Sequence, residues 1–138
     1  MMQLRYSPTS PYVRKVSVMT IETGLSSQID RVLTNPWDPQ TDLGATNPLG
    51  KVPALITPDG AEIFDSRVIC EHLDAMHDSE PFFPLEPKTR SIALRLQALA
   101  DGILDAAILR LIEERRRPGE YCWPVWCDRQ ATTMNRSL

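Results

Sequence analysis

The sequence predicts an α/β domain in the order βαβ–ββα, followed by a segment that is helical throughout. Strand-like and helix-like patterns alternate as far as His77. A proline-rich stretch from Asp78 to Pro87 then interrupts every periodic pattern, as linkers do. Beyond it, apolar residues recur at helical spacing without a proline as far as Arg117. We therefore expect a first domain at residues 1–77, a linker at 78–87, and the first helices of an all-α domain at 88–138. Two helices do not close a bundle, so we expect either that this second domain is incomplete or that a partner covers its apolar face.

Individual elements follow from periodicity and from turn residues. Four short runs have the alternation or the β-branched content of strands: Gln3–Tyr6, Gln28–Leu33, Val52–Thr57 and Ala61–Phe64. Three runs have helical spacing: Pro11–Thr23, Ser66–His77 and Lys88–Arg117. The segment Tyr121–Leu138 looks like the start of another helix. A parallel pair from the βαβ unit, joined to an antiparallel hairpin at Pro58-Asp59-Gly60, gives a mixed four-stranded sheet.

Apolar residues at helical spacing predict the buried side of each helix. The expected faces are Val13, Val16, Val18 and Ile21 on the first helix, and Val68, Ile69, Leu73 and Met76 on the helix from Ser66. Cys70 shares the second face and is expected in the core, whereas His72 and His77 are expected at the surface. On the long helix, Asp101 and Asp105 lie one turn apart. They are interpreted as a solvated face, with a position in a ligand cleft as the alternative.

Composition excludes several classes of function. The 138 residues are 42% hydrophobic and 24% charged, as in ordinary globular domains. A net charge of −3 argues against nucleic acid or an anionic membrane as the main partner. The three cysteines form no CxxC pair, and no apolar run approaches the ~18 residues of a membrane span. We therefore expect a cytoplasmic protein that has no metal site and no membrane contact.

Val52-Pro53 is the most informative dipeptide in the chain. Proline cannot donate to a strand ladder, so Pro53 belongs at the start of a strand. The bond before a proline is also the one at which a cis peptide costs little. A cis bond would turn the backbone of Val52 away from the sheet and leave it available to an extended peptide.

Two further polar segments lie where strands end. Ser7-Pro8-Thr9-Ser10-Pro11-Tyr12 connects the first strand to the first helix, and Asp65-Ser66 connects the last strand to the third helix. With Val52, they indicate a small anionic peptide as ligand. Each also has a purely structural interpretation, because Ser10 and Ser66 are natural N-cap residues. Lys51 on its own would be a solvated surface lysine.

Together these segments resemble the cytosolic glutathione S-transferases, and in particular a bacterial, serine-type member of that family. The matching motifs are Ser7 to Val16, Asn47 to Leu55, Phe64-Asp65-Ser66 with Ile69 and Leu73, Ala98 to Ile103, and Arg129-Gln130. The resemblance implies a thioredoxin-like N-terminal domain followed by the start of an all-α domain. The chain departs from the family in length, because the helical domain of these proteins runs on for several more helices.

The resemblance also implies roles for single residues. Ser10 matches the position that faces the glutathione sulfur, and Thr9 is the alternative. The remaining matches are Lys51 to the group that meets the glycyl carboxylate, Val52 to the residue whose backbone pairs with the cysteinyl unit, Pro53 to the cis-proline, and Asp65 with Ser66 to the pair that holds the γ-glutamyl end. The implied function is conjugation of glutathione to an electrophile by a homodimer, in detoxification. The alternatives are a glutathione-dependent thiol or peroxide reductase and a binding or protein-interaction module without catalysis.

Overall fold

The computed structural model describes every residue from Met1 to Leu138 and divides them into two compact units, Met1–Pro84 and Leu85–Leu138. The first unit holds β1 (Met2–Tyr6), α1 (Pro11–Glu22), β2 (Ile29–Leu33), α2 (Leu43–Thr46), β3 (Ala54–Ile56), β4 (Glu62–Ile63) and α3 (Ser66–Asp74), and the second holds α4 (Pro87–Arg115) and α5 (Pro124–Ser137). One-turn 3₁₀ helices occur at Ser26–Gln28 and Gly119–Tyr121. This order confirms the predicted thioredoxin-like fold with helices after it. The domain boundaries at residues 77 and 88 stay a prediction.

The sheet of the first unit has the strand order β2-β1-β3-β4. β1 is parallel to β2 and antiparallel to β3, with Arg5 opposite Ala54. β3 is antiparallel to β4, with Leu55 opposite Ile63. The carboxyl ends of β1, β2 and β4 and the amino end of β3 therefore meet at one edge of the sheet, which we call the loop edge.

The core of the first unit lies between the sheet and the helices α1 and α3. It consists of Met2, Leu4, Val16, Met19, Leu25, Leu55, Ile69, Cys70 and Leu73, which confirms the buried position of Cys70. The predicted faces are partly wrong, because Val18, Ile21, Val68 and Met76 are each at least 40% exposed. Residues two apart point to different sides of a helix, so Val16 and Val18 cannot share a face. Met19 and Thr20 complete the buried side of α1 instead.

The chain beyond α3 is held by a buried carboxylate. Asp74 accepts hydrogen bonds from the backbone N–H groups of Phe82 and Phe83, at 2.8 and 2.9 Å. The Ser79 N–H donates to Nδ1 of His77, so the proton of that ring sits on Nε2, 3.1 Å from Asp74. The expectation that His77 lies at the surface is wrong, since its side chain is only 5% exposed. The contact with Asp74 offsets the free-energy cost of burying the His77 ring.

In the second unit, α4 and α5 pack against each other. The buried Glu113 connects them, because its Oε1 accepts the Trp123 N–H at 2.9 Å and its Oε2 accepts the Arg117 Nε at 2.8 Å. The interpretation of Asp101 as solvated is wrong, because this residue is 1% exposed, whereas Asp105 is exposed. None of the five α-helices has both the length and the apolar composition that crossing a bilayer requires.

Candidate functional site at the loop edge

The polar segments singled out in the sequence converge at the loop edge. The residues after β1, before β3 and after β4 meet there because of the strand directions. A small apolar cluster joins the three segments from below: Val13, Leu43, Val52 and Ala54, with Tyr6 and Phe64 packed against them. The topology therefore brings Ser10, Val52 and Asp65 to one side of the molecule, although they are far apart in sequence.

Ser10 is the N-cap of α1. It has an extended backbone, and its Oγ accepts a hydrogen bond from the Val13 N–H at 3.3 Å. Pro11 at the first helical position has no N–H to satisfy, which suits a helix start. Because a hydroxyl can accept and donate at once, capping leaves the Ser10 proton available to a ligand. Thr9 is exposed, and its Oγ1 lies 3.3 Å from Ser7 Oγ.

The segment before β3 is shaped by Asn47, which sequence reasoning placed in the motif but gave no role. Its Oδ1 accepts the Leu49 N–H at 3.0 Å, and its Nδ2 donates to the Lys51 carbonyl at 2.8 Å. Asn47 itself is 1% exposed, so its side chain is shielded from water. Gly50 between them has φ +62°, a conformation that residues with a side chain adopt at a cost. The Asn-Pro-x-Gly pattern was the available signal for such a turn.

Lys51 is exposed at the end of this turn, and Val52 and Pro53 after it are buried. The Val52–Pro53 peptide bond is cis, in agreement with the expectation from the sequence; the Phe64–Asp65 bond is also cis. The ladder between β1 and β3 begins at Ala54, so Val52 lies outside it. The buried Val52 side chain anchors the backbone that lies along the loop edge.

Asp65, and not Ser66, is the N-cap of α3. Its Oδ1 accepts the Arg67 N–H at 3.0 Å. Ser66 is the first helical residue and is buried, whereas Asp65 is exposed. The suggestion that Ser66 caps the helix is therefore wrong. An acidic cap is the better partner for a helix N-terminus, because it satisfies an N–H group and opposes the positive end of the helix dipole.

Arg5 fixes a fourth segment at the loop edge, and sequence reasoning missed it. Its Nε donates to Thr34 Oγ1 at 2.9 Å, directly after β2, and its guanidinium pairs with Asp42. The hydrogen bond from Arg5 to Asp42, together with the positive charge of Arg5, holds the pKa of Asp42 below its usual value. Arg5 thereby ties the loop between Thr34 and Asp42, which carries the half-exposed Trp37, to the central strand. An arginine within a strand gives no sequence signal that distinguishes this role.

The loop edge combines groups suited to a small zwitterionic peptide. It offers the N-termini of α1 and α3, the ammonium of Lys51, the carboxylate of Asp65 and two hydroxyls. Helix N-termini and ammonium groups favour carboxylates, and a carboxylate favours an ammonium. No three His, Cys, Asp or Glu side chains are grouped as metal ligands.

Comparison with known proteins identifies relatives over nearly the whole chain. The family model described as "Glutathione S-transferase, N-terminal domain" matches residues 9–76. The uncharacterised GST-like protein YibF of Escherichia coli (strain K12) is 36% identical over 137 residues. That alignment covers 99% of this chain and 66% of YibF, so the chain spans about two thirds of that relative's length.

Solved structures match this chain in fold over nearly its whole length. A glutathione transferase family member from Pseudomonas fluorescens Pf-5, with bound glutathione, superposes with a TM-score of 0.91 at 40% identity. The match covers 99% of this chain and 68% of that one. A family member from the same source, with bound S-(propanoic acid)-glutathione, gives a TM-score of 0.87 at 39% identity, over 99% of this chain and 67% of that one.

Proposed function

The chain belongs to the glutathione S-transferase family, and on that premise we propose that it binds glutathione at the loop edge and activates its thiol for attack on an electrophile. The observation that carries the proposal is the convergence of Ser10, Val52 and Asp65 at one edge of the sheet. Glutathione in one of the similar structures, and a glutathione thioether in another, support the choice of ligand. The thioether is the product class that such an attack would give.

In this proposal the peptide lies along the loop edge in an extended conformation. The backbone of Val52 pairs with the cysteinyl unit, as an added strand would. Asp65 pairs with the γ-glutamyl ammonium, and the N-terminus of α3 with Ser66 binds the neighbouring carboxylate. Lys51 meets the glycyl carboxylate at the other end. Pro53 holds the bend that presents Val52, and the Asn47 side chain keeps Lys51 in place through its carbonyl.

Ser10 supplies the activation. A free thiol has a pKa near ~8.5, and the thiolate is the nucleophile. Lowering this pKa by about two units takes roughly 2.7 kcal/mol. A hydroxyl that donates to a charged sulfur contributes ~1.5–3 kcal/mol, and the N-terminus of α1 adds ~0.3–1 kcal/mol. The combined range of these two contributions includes the required free energy without a general base. Thr9 is the second candidate for this hydroxyl.

The reductase alternative is disfavoured by chemistry at residue 10. Thiol–disulfide exchange proceeds through a mixed disulfide with an attacking protein thiolate. A serine hydroxyl cannot form that bond, and the three cysteines lie elsewhere, at positions 70, 122 and 127. An electrophilic co-substrate therefore fits the loop edge better than a disulfide. We also propose that the protein acts as a homodimer, because α4 exposes the apolar residues Ile92, Leu96 and Leu99 on one face.

Calorimetric titration with glutathione tests the binding site. Asp65→Asn removes the carboxylate but keeps a good N-cap, so the fold of α3 is preserved. We expect it to raise the dissociation constant about 5- to 150-fold, which corresponds to ~1–3 kcal/mol for an unpaired ligand group. Asp30→Asn is the matched control, because Asp30 is an exposed carboxylate within β2. Its affinity should equal that of the wild type.

Transferase activity is measured separately, as the rate at which glutathione forms a thioether with an aromatic halide. Binding without turnover would reject the transferase and leave a glutathione-binding module. If Asp65→Asn and Asp30→Asn bind glutathione alike, the γ-glutamyl end does not lie at α3.

A further inference from the structure

Two cysteines occupy paired positions at the start of α5. Trp123 is the N-cap of this helix, so Cys122 is the residue before the cap and Cys127 is the fourth helical residue. Side chains at these two positions pack against each other across the first turn of a helix. Cys122 lies close enough to Cys127 to help raise the pKa of the Cys127 thiol. Both cysteines carry free thiols.

The two thiols differ in environment. Cys127 is 6% exposed, whereas Cys122 is partly accessible. Burial raises the pKa of the Cys127 thiol, and the charges of Cys122, Glu114 and Glu113 raise it further. The charged groups of α4 near Cys127 are Glu113, Glu114 and the Arg110 guanidinium. Arg110 is itself paired with Glu114 at 2.7 Å. Cys122 is therefore the thiol that an oxidant reaches first, and Cys127 is the shielded partner.

We propose that Cys122 and Cys127 form a reversible disulfide that locks the first turn of α5, with a low-molecular-weight disulfide such as glutathione disulfide as the oxidant. The Cys122 thiolate attacks one sulfur of glutathione disulfide, forms a mixed disulfide and releases one glutathione thiolate. The Cys127 thiol then gives its proton to solvent and attacks the Cys122 sulfur, which displaces the second glutathione. Two protein thiols are oxidised, and one glutathione disulfide is reduced to two glutathione molecules.

The disulfide would form across the first turn of α5, which other contacts already hold in place. The backbone N–H of Trp123 is held by Glu113 of α4, and the Trp126 and Cys127 N–H groups donate to the Trp123 carbonyl. The rings of Trp123 and Trp126 stack at 6.0 Å. A covalent link across the same turn suppresses its local opening. The proposal is independent of glutathione binding at the loop edge, because both cysteines lie in the second unit.

Mass spectrometry of the full chain, equilibrated with reduced and oxidised glutathione and quenched in acid, tests the proposal. The wild type should lose two hydrogens, and peptide mapping should join residues 122 and 127. Cys127→Ala should stop at one added glutathione on Cys122. Cys122→Ala should add glutathione to Cys127 at least about tenfold more slowly than Cys127→Ala does at Cys122. Cys70→Ala, which changes the buried cysteine of the first unit, should behave as the wild type.

Three results would overturn the proposal. The first is a wild-type protein that holds glutathione on Cys122 and never forms the internal bond. The second is equal reaction rates in Cys122→Ala and Cys127→Ala, which would contradict the order of attack. The third is a bond that involves Cys70. Should an alanine variant fail to fold, mapping of the wild type still decides, and slower amide exchange at Trp126 and Cys127 after oxidation gives a second readout.

Discussion

Ser10 illustrates how one side chain can serve both the fold and the chemistry. Its oxygen accepts the Val13 N–H, and this cap does not use the hydroxyl proton. The capping interpretation and the ligand interpretation of the sequence were therefore not exclusive. The structure establishes the first of them, and the second is a prediction about the bound thiol.

Replacing Ser10 should raise the thiol pKa of bound glutathione by about one to two units, because a hydrogen bond to a charged group is worth ~1.5–3 kcal/mol. Affinity should stay nearly unchanged, since Lys51, Val52 and Asp65 hold the rest of the peptide. Ultraviolet absorbance of the thiolate against pH measures this directly. Ser10→Ala also removes the cap, at a cost of ~1 kcal/mol, whereas Ser10→Gly costs only a few tenths.

Ser10→Ala and Ser10→Gly should therefore share the thiol shift and differ in stability, which separates the two roles. Thr9→Ala is the control for the neighbouring hydroxyl. A shift in Thr9→Ala with none in the Ser10 variants would assign the sulfur to Thr9. No shift in any of them would leave thiolate stabilisation to the helix N-terminus.

At the level of elements, carboxylates fix the segments that follow helices. Asp74 holds the chain after α3, and Glu113 holds the start of α5. Both are buried acidic residues whose partners are backbone N–H groups, and a hydrogen bond of this kind makes burial of the charge tolerable.

Asp74→Asn should release the segment at Phe82 and Phe83, because one of the two acceptor oxygens becomes an N–H₂ donor. We expect faster hydrogen exchange of one or both of these backbone amides, read by nuclear magnetic resonance. Asp78→Asn, at an exposed carboxylate four residues on, should leave both rates unchanged. Equal protection in the Asp74 variant would mean that Phe83 is held by its packing against the core alone.

Glu113 should make the start of α5 sensitive to acid. The Trp123 N–H, and then the Arg117 side chain, hold the pKa of Glu113 below its usual value of 4.5. A carboxylate whose pKa is lowered on folding contributes stability that is complete above the unfolded pKa and is lost as pH falls through the folded one. Exchange of the Trp123 amide, corrected for its intrinsic pH dependence, should therefore lose protection only below about pH 4.5.

Glu113→Gln should abolish that transition, since its side-chain carbonyl can still accept the Trp123 N–H but does not titrate. Glu120→Gln, at an exposed residue of the 3₁₀ turn, is the control and should keep the transition. An acid transition that persists in Glu113→Gln would place its origin in another carboxylate.

Sequence patterns predicted the order and type of these elements well, because strand alternation, helix starts at proline and the Pro58-Asp59-Gly60 turn are local signals. Element ends were predicted less well. The strand that was predicted to begin at Val52 begins at Ala54 in the structure. The helix that was predicted to end at His77 ends at Asp74. The missing information was tertiary. The roles of Arg5, Asp74 and Glu113 depend on partners up to 37 residues away, which no short pattern encodes.

At the scale of the whole molecule, α4 has an exposed apolar face. Ile92, Leu96 and Leu99 are 45, 54 and 48% exposed, and their spacing places them on one side of the helix. A dimer would remove this surface from water, at roughly 25 cal/mol for each Å² of apolar area.

Light scattering after size exclusion should therefore show a dimer for the wild type and a monomer for Leu96→Glu, because a charge at the centre of an apolar contact is left without a partner. Ser91→Glu carries the same added charge outside this row and should remain dimeric. A wild-type chain that is monomeric at all concentrations would reject the homodimer, and the face would then need another cover.

The turn at Asn47 also bears on how the protein ages. Asparagine side chains deamidate when the backbone nitrogen of the next residue attacks the amide carbon, and a proline nitrogen carries no hydrogen for that reaction. Asn47 precedes Pro48, and Asn35, whose Oδ1 accepts the Trp37 N–H, precedes Pro36. Only the third asparagine, Asn135 near the end of α5, is followed by a residue with a reactive N–H. The two asparagines whose side chains hold turns in the loops of the first unit are thus the two protected from this slow conversion to acid.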